Sequence, residues 1–172
     1  MSCSNLTAGF LDLCNDSTGG IEKIFIGNGP VQSITESAGN ITAITVAGAA
    51  MVPGDFFVFE TPRQVSSITE TTNVSQENAT LFFDQQLTAV FNKMDSAKRD
   101  QLLLLAQATT MVVVAKDGNG KYWSVGVEKG AFLVSASATS GTAYADRNGY
   151  EIVIGGLEAS PMFTVDSAIV EA

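Results

Sequence analysis

Along Ala79–Phe91 the apolar residues return at every second position. Ala79, Leu81, Phe83, Leu87, Ala89 and Phe91 fall on one side, interrupted only by Gln85. Thr80, Asp84, Gln86 and Thr88 fall on the other, with Phe82 and Val90 as exceptions. Side chains of a strand alternate between its two faces, so this run predicts a strand with one buried and one wet face. The preceding run, Val65–Val74, alternates poorly and is mostly Ser, Thr and Glu, which fits a projecting segment better than a core strand. The two runs meet at a polar tip, Asn73–Asn78, giving a hairpin over residues 63–92. From Arg63 to Asp117 the chain has no glycine and no proline, although it has 16 glycines elsewhere. A typical strand is roughly 5–6 residues long, and each arm here is about twice that. Such a hairpin overhangs a small domain, and its unpaired edges invite association. Removing Val65–Asn78 is expected to spare the fold, because that stretch is too polar for a core.

The remaining pattern is a series of short strands. Gly19-Gly20 opens Ile21–Ile26, and Gly27-Asn28-Gly29-Pro30 ends it. Val31–Glu36 and Ile41–Ala47 follow, the second alternating Ile41, Ala43 and Thr45 against Thr42, Ile44 and Val46. Phe56–Glu60, Met111–Lys116, Lys121–Val127, Ala131–Ala138, Glu151–Gly155 and Met162–Val165 complete the set. A helix is expected over 95–108: Asp95 or Ser96 caps it, and Leu102, Leu103, Leu105 and Ala106 form its apolar stripe. That stripe is expected to cover a sheet. One helix among about ten strands predicts a mainly β chain, a sandwich or barrel with one flanking helix and a long protruding hairpin. Residues 1–19 read as an N-terminal arm with an apolar patch at Phe10–Leu13, and residues 20–172 as a single domain.

Composition narrows the function. Only 16% of the residues are charged, against a typical ~25%, so Ser, Thr, Asn and Gln must supply much of the polar surface. That suits a protein that spends its life assembled. A net charge of −9 with only nine Lys and Arg, scattered singly, argues against a nucleic-acid binder, which needs cations for the phosphates. Cys3 and Cys14 are too few for a disulfide scaffold and read as free thiols of a reducing cytosol; a Cys3–Cys14 bridge would need an oxidising compartment. No secretory leader or membrane-length apolar run is visible. The five Asn-x-Ser/Thr sequons, at Asn5, Asn15, Asn40, Asn73 and Asn78, read as chance in a chain rich in these residues.

No catalytic, cofactor-binding or metal-ligating set emerges. The absence of histidine removes the usual general base and the commonest zinc ligand. Gly27-Asn28-Gly29 lacks the third glycine of a dinucleotide fingerprint. Asp117-Gly118-Asn119-Gly120 echoes a calcium loop but lacks its later glutamate, and reads as a hairpin turn. Nothing in the sequence pairs Asp84 with Glu60 for general acid–base work. Tyr122-Trp123 reads as a core or interface pair.

Four stretches carry a family resemblance. They are the arm through Cys14 to Gly19-Gly20-Ile21-Glu22-Lys23-Ile24-Phe25-Ile26, the glycine-free hairpin, the run Leu102–Val114 with Gly120-Lys121-Tyr122-Trp123, and Ser140–Ala143 followed by Asp146–Ile152. In order and texture the chain resembles tail tube proteins of long-tailed bacteriophages, which are related to the tube proteins of contractile injection systems. The resemblance implies hexameric rings stacked into a hollow tube, with the hairpin reaching an adjacent ring. Its partners would be copies of itself, other tail proteins, and double-stranded DNA passing through without specific binding, with no membrane anchoring. Its place would be the virion tail, assembled in the bacterial cytoplasm. On that reading Val65, Ile68, Glu70, Val74 and Glu77 are the candidate inter-ring contacts. Asp84, Gln86 and Thr88 are the candidate lumen residues, with Glu60 and Glu70 as weaker ones. An acidic wall would let DNA slide. Other classes remain open: a head-decoration or tail-completion protein, a secreted adhesin or pilin-like subunit, and a carbohydrate-binding sandwich using Trp123.

Overall fold

A computed structural model describes residues 8–10 and 15–171. The pairing of Cys3 with Cys14, the sequon at Asn5 and most of the Phe10–Leu13 patch lie outside the described residues. In chain order the elements are β1 (Ile21–Asn28), β2 (Val31–Ser37), β3 (Asn40–Val46), β4 (Ala49–Ala50), a 3-10 turn at Pro53–Asp55 and β5 (Phe56–Glu60). Then come β6 (Ser67–Ser75), β7 (Thr80–Asn92), α1 (Ser96–Gln107), β8 (Met111–Asp117), β9 (Tyr122–Val125) and β10 (Phe132–Thr139). β11 (Gly149–Glu158), β12 (Thr164–Val165) and α2 (Ser167–Val170) end the chain. The chain is mainly β, with two sheets packed as a sandwich and α1 on the flank. Sheet A runs β2-β3-β12-β9-β8-β1-β5, with β4 paired to β3, and sheet B runs β10-β11-β7-β6.

Alternation along β1 divides the interior in two. Ile24 and Ile26 point between the sheets, where they meet Val113, Ala115 and Val125 of sheet A and Leu87, Ala89, Ile152 and Ile154 of sheet B. Phe25 points the other way and clusters with Val112, Val114 and Tyr122, and also with Ile41 and Ile44 of the distant β3. Sheet A therefore rolls over on itself, and α2 closes the roll with Ile169 and Val170. Simple alternation does not hold in β3. Thr35 pairs with Ala43 while Glu36 pairs with Ile41, so Thr42 is an extra residue. This bulge buries both Ile41 and Ile44.

Two other expectations change. β11 runs well beyond Glu151–Gly155, because Gly156 lets the chain pass Gly126: a Cβ there would lie 2.6 Å from the Gly126 Cα. Gly126 itself has φ +64°, a left-handed conformation that suits glycine and ends β9 at Val125. The α1 stripe is also narrower than expected. Leu105 is buried and Leu102 half-buried, but Leu103 and Leu104 are 50% and 58% exposed, and Ala106 is exposed. The helix meets the sandwich along one seam, with Leu102 and Leu105 one turn apart. Each residue advances about 100° around a helix, so Leu103 points away.

Candidate functional site

The hairpin is built as two unequal halves. β7 is 13 residues long and pairs with β11 only from Asn92 to Phe83. Beyond Phe83 the one strand paired with it among the described residues is β6, which runs from Ser67↔Thr88 to Ser75↔Thr80. The free end carries Val74 opposite Leu81, and Phe82 opposite Asn73, all three apolar side chains exposed, with Val74 66% exposed. Glu77 is exposed in the turn. Val65, before the strand, is exposed as well.

The lower half is stitched to the body, so it is not the free projection its polarity suggested. The Ser66 hydroxyl is buried and accepts the Val90 N–H at 3.2 Å, and Ile68 packs against the inter-sheet core. Glu70 Oε2 accepts the Met162 N–H at 2.6 Å and a hydrogen bond from Gln85 Nε2 at 3.3 Å. Of the five inter-ring candidates, Ile68 and Glu70 thus have partners within the chain, and Val65, Val74 and Glu77 face outward.

Gln85, which breaks the apolar face of β7, is the hub of this stitching. It is 2% exposed. Its Oε1 accepts the Gly126 N–H at 3.0 Å, and its Nε2 also donates to the Ser160 carbonyl at 3.3 Å. Nearby Glu158, 1% exposed, accepts the Lys129 N–H with both carboxylate oxygens at 3.1 and 3.2 Å. Burial is the main force pushing its pKa up to about 7, with the Glu128 charge adding to it and the Lys129 N–H opposing. Nothing in the local pattern marks Glu158, whereas Gln85 stands out as a polar residue on an apolar face.

Asp84, Gln86 and Thr88 lie together on the outer face of sheet B, half-buried by their neighbours. Gln86 Nε2 reaches both oxygens of Asp84 at 3.3 Å. Register places Ser67, Thr69 and Thr71 of β6 beside them, and β11 and β10 extend the face with Glu151, Ser135 and Ser137. None of the four strands of sheet B contains a lysine or arginine. Glu60 lies on β5, in the other sheet.

The remaining candidate chemistry is structural. Asp117 accepts the N–H groups of Asn119 (2.9 Å) and Lys121 (2.8 Å) and the Trp123 indole N–H (3.0 Å). Burial raises its pKa, but these hydrogen bonds outweigh it and hold the carboxyl below its ordinary value. The same turn clasps Thr18, whose N–H donates to Asn119 Oδ1 at 2.8 Å, and so fixes where the arm leaves the body. Glu171 receives the Tyr122 hydroxyl, Lys23 at 3.0 Å and Lys116 at 3.2 Å; led by the tyrosine, these pull its pKa down to about 2. Among the described residues no group of three or more His, Cys, Asp or Glu is placed to hold a metal ion, and no helix is long and apolar enough to cross a membrane.

At the other end of β7 lies an apolar hollow of about 190 Å³. Phe59, Phe91, Leu102, Leu105 and Tyr150 line it, with Ala97, Lys98 and Gln101 of α1. No protein-family model matches the chain, and no curated protein matches it. Among solved structures, it is similar to a chain from the virion of a native gene transfer agent particle. The TM-score is 0.40 at 10% identity, over 64% of this chain and 89% of that one.

Proposed function

We propose that this chain is a structural virion protein, the major subunit of a tail tube. Six copies close into a ring, rings stack into a hollow conduit, and double-stranded DNA passes through without specific binding. The observation that supports this reading is sheet B: one face is buried in the subunit, while the other is rich in hydroxyls, has no lysine or arginine on its strands and, among the described residues, meets a cation only where Arg147 pairs with Glu151 at its end. Nucleic-acid affinity comes largely from cations neutralising phosphates, so such a face repels a duplex weakly and holds it nowhere. The sheet also ends in two edge strands, β6 and β10. Each edge presents unpaired backbone groups of the kind that pair with another chain. Asp84, Gln86 and Thr88 then line the lumen.

Electron microscopy of the purified chain, with sedimentation at rising concentration, tests the assembly. Rings and hollow tubes are expected; a monomer at every concentration would sink the reading. Asp84→Lys tests the wall. It is expected to leave particles intact and to slow genome ejection at low salt, where such charges are least screened. Unchanged ejection kinetics would remove these three residues from the lumen.

A further inference from the structure

At the end of β11 two stretches of backbone lie in contact. One is the loop after β9, residues 126–130, and the other is the chain over residues 156–162. Gly156 sits so close to Gly126 that neither side chain nor water separates them. We infer that Glu158 is a proton-operated latch between the two stretches: with its proton on, it clamps the loop to the end of β11, and with its proton off, the two part and free the base of the β6–β7 hairpin. This goes beyond the assembly reading and stands without it.

The surroundings of Glu158 suit a neutral acid. Alternation along β11 turns it inward with Ile152 and Ile154, the face that packs on sheet A. It is 1% exposed. A carboxylate offers two acceptor oxygens, and burial without enough donors or a cation disfavours its charged form. Here both oxygens share one neutral donor, the Lys129 N–H, at 3.1 and 3.2 Å. Among the described residues no lysine or arginine forms an ion pair with it. Burial does most to keep the proton on; the loop adds the like charge of Glu128, which helps, and the Lys129 ammonium, which opposes. From β7 it faces only neutral groups, Phe83 opposite it in register and Gln85 beyond. Residues 159–162 have no titratable side chain. Glu70 on β6 is the next carboxylate, reached through Gln85 and Ser160. One proton therefore decides whether the corner holds a neutral acid or a buried charge with no counterion.

The same corner ties down the hairpin. On the loop side, the Gly126 N–H donates to Gln85 Oε1, and Glu128 Oε1 accepts the Ser160 hydroxyl at 3.0 Å. On the β11 side, the Ser160 carbonyl accepts Gln85 Nε2, and the Met162 N–H donates to Glu70. Gln85 belongs to β7 and Glu70 to β6, so loop, strand end and hairpin base share one hydrogen-bonded network. An ionised Glu158 is relieved by water, and the seal that must part to admit it is the contact of Gly126 on Gly156. Lifting the loop breaks the Gly126–Gln85 and Glu128–Ser160 bonds and loosens the segment that Glu70 grips.

Hydrogen exchange of the intact chain, read amide by amide and corrected for the intrinsic pH dependence of exchange, tests the latch. A carboxyl at about 7 when closed and 4.5 when open makes opening about tenfold more frequent at pH 8 than at pH 6. Amides at 126–130, 159–162 and 67–70 should show that rise, at protection well below that of β8, so that the corner opens while sheet A stays folded. Glu158→Gln keeps the shape and stays neutral, and should abolish the pH response. Glu128→Gln removes the like charge, leaves Glu158 in place and should shrink the response. Corner amides that exchange in step with β8 at both pH values would overturn the latch, because Glu158 would then act only on the fold as a whole. A pH response that survives in Glu158→Gln would overturn it as well. Carbon NMR of the glutamate carboxyls in the parent chain reads the proton directly. One glutamate titrating near neutrality is expected, and all of them titrating together in the ordinary carboxylate range would overturn the proposal. Neither Glu128→Gln nor the carbon spectrum depends on Glu158→Gln folding.

Discussion

The two sheets solve the same problem in opposite ways. Sheet A covers both of its faces from within the chain, one with sheet B and the other by rolling over and adding α2. Sheet B covers one face only and leaves the other, both edges and the hairpin tip to the outside. The difference is written in side-chain chemistry. Sheet A presents Val112, Val113, Val114 and Ala115 as an unbroken buried run, as strands covered on both faces do. Sheet B alternates Leu87 and Ala89 with Gln86 and Thr88. The chain thus finishes one sheet within itself and leaves the other with an open face and open edges.

The largest effect that separates the two faces lies within β7. Leu87→Ala empties a fully buried position and should cost roughly 2–5 kcal/mol. Gln86→Ala next to it should stay within about 0.5 kcal/mol. Denaturant melts of the unassembled subunit give both values, and equal costs would erase the distinction.

The two most strongly perturbed carboxylates, one against each sheet, pull in opposite directions. Glu158 of sheet B has its folded-state pKa raised from 4.5 to about 7. Its contribution is therefore complete below 4.5 and is lost as pH rises through 7, a change of roughly 2–3 kcal/mol by pH 8. Glu171, docked on sheet A, has its pKa lowered from 4.5 to about 2. Its contribution is present above 4.5 and is lost as pH falls through 2. Thermal melts should peak near the ordinary carboxylate range. Glu158→Gln should raise the melting temperature at pH 8 and flatten the alkaline limb; Glu171→Gln should lower it at neutral pH and flatten the acid limb. A melting temperature that does not respond to pH in either parent or variants would contradict both environments.

The smallest effect concerns α1. Leu103→Ser with Leu104→Ser should shift subunit stability by no more than about 0.5 kcal/mol per site, whereas Leu105→Ala should cost more. Melts of the three variants decide it, and a large loss from the exposed pair would return them to the core.

The sheets and the hairpin were legible because alternation and turn residues are local signals. The alternation of β7 held through Gln85, and Asp117-Gly118-Asn119-Gly120 forms the turn its residues suggest. The helix was legible as an element but not as a packing partner. Leu102, Leu103, Leu105 and Ala106 read as a stripe within a run of four leucines, and only contact with a sheet shows which of them lie on the seam. The bulge at Thr42 escaped because it depends on the register of two strands. The anchoring of Ser66 and Glu70 escaped for a similar reason: hydroxyls and carboxylates look solvent-facing until a buried backbone N–H is placed against them. Glu158 is the extreme case, a charged residue at the end of an apolar strand whose burial is set by a loop about thirty residues earlier. Of the site candidates, Asp84, Gln86 and Thr88 fall together on one face, whereas the five hairpin residues divide between tip and body.

The absence of cations from sheet B also decides what chemistry can reach it. Trypsin has no cleavage point from Gln64 to Asn92, from Gly130 to Asp146, or from Asn148 to the chain end. Digestion therefore samples sheet A, the loops and α1, and returns sheet B as a few long peptides. Amine-reactive dyes divide the molecule in the same way: every lysine lies off the four strands of sheet B, so a fully labelled subunit keeps those strands undyed.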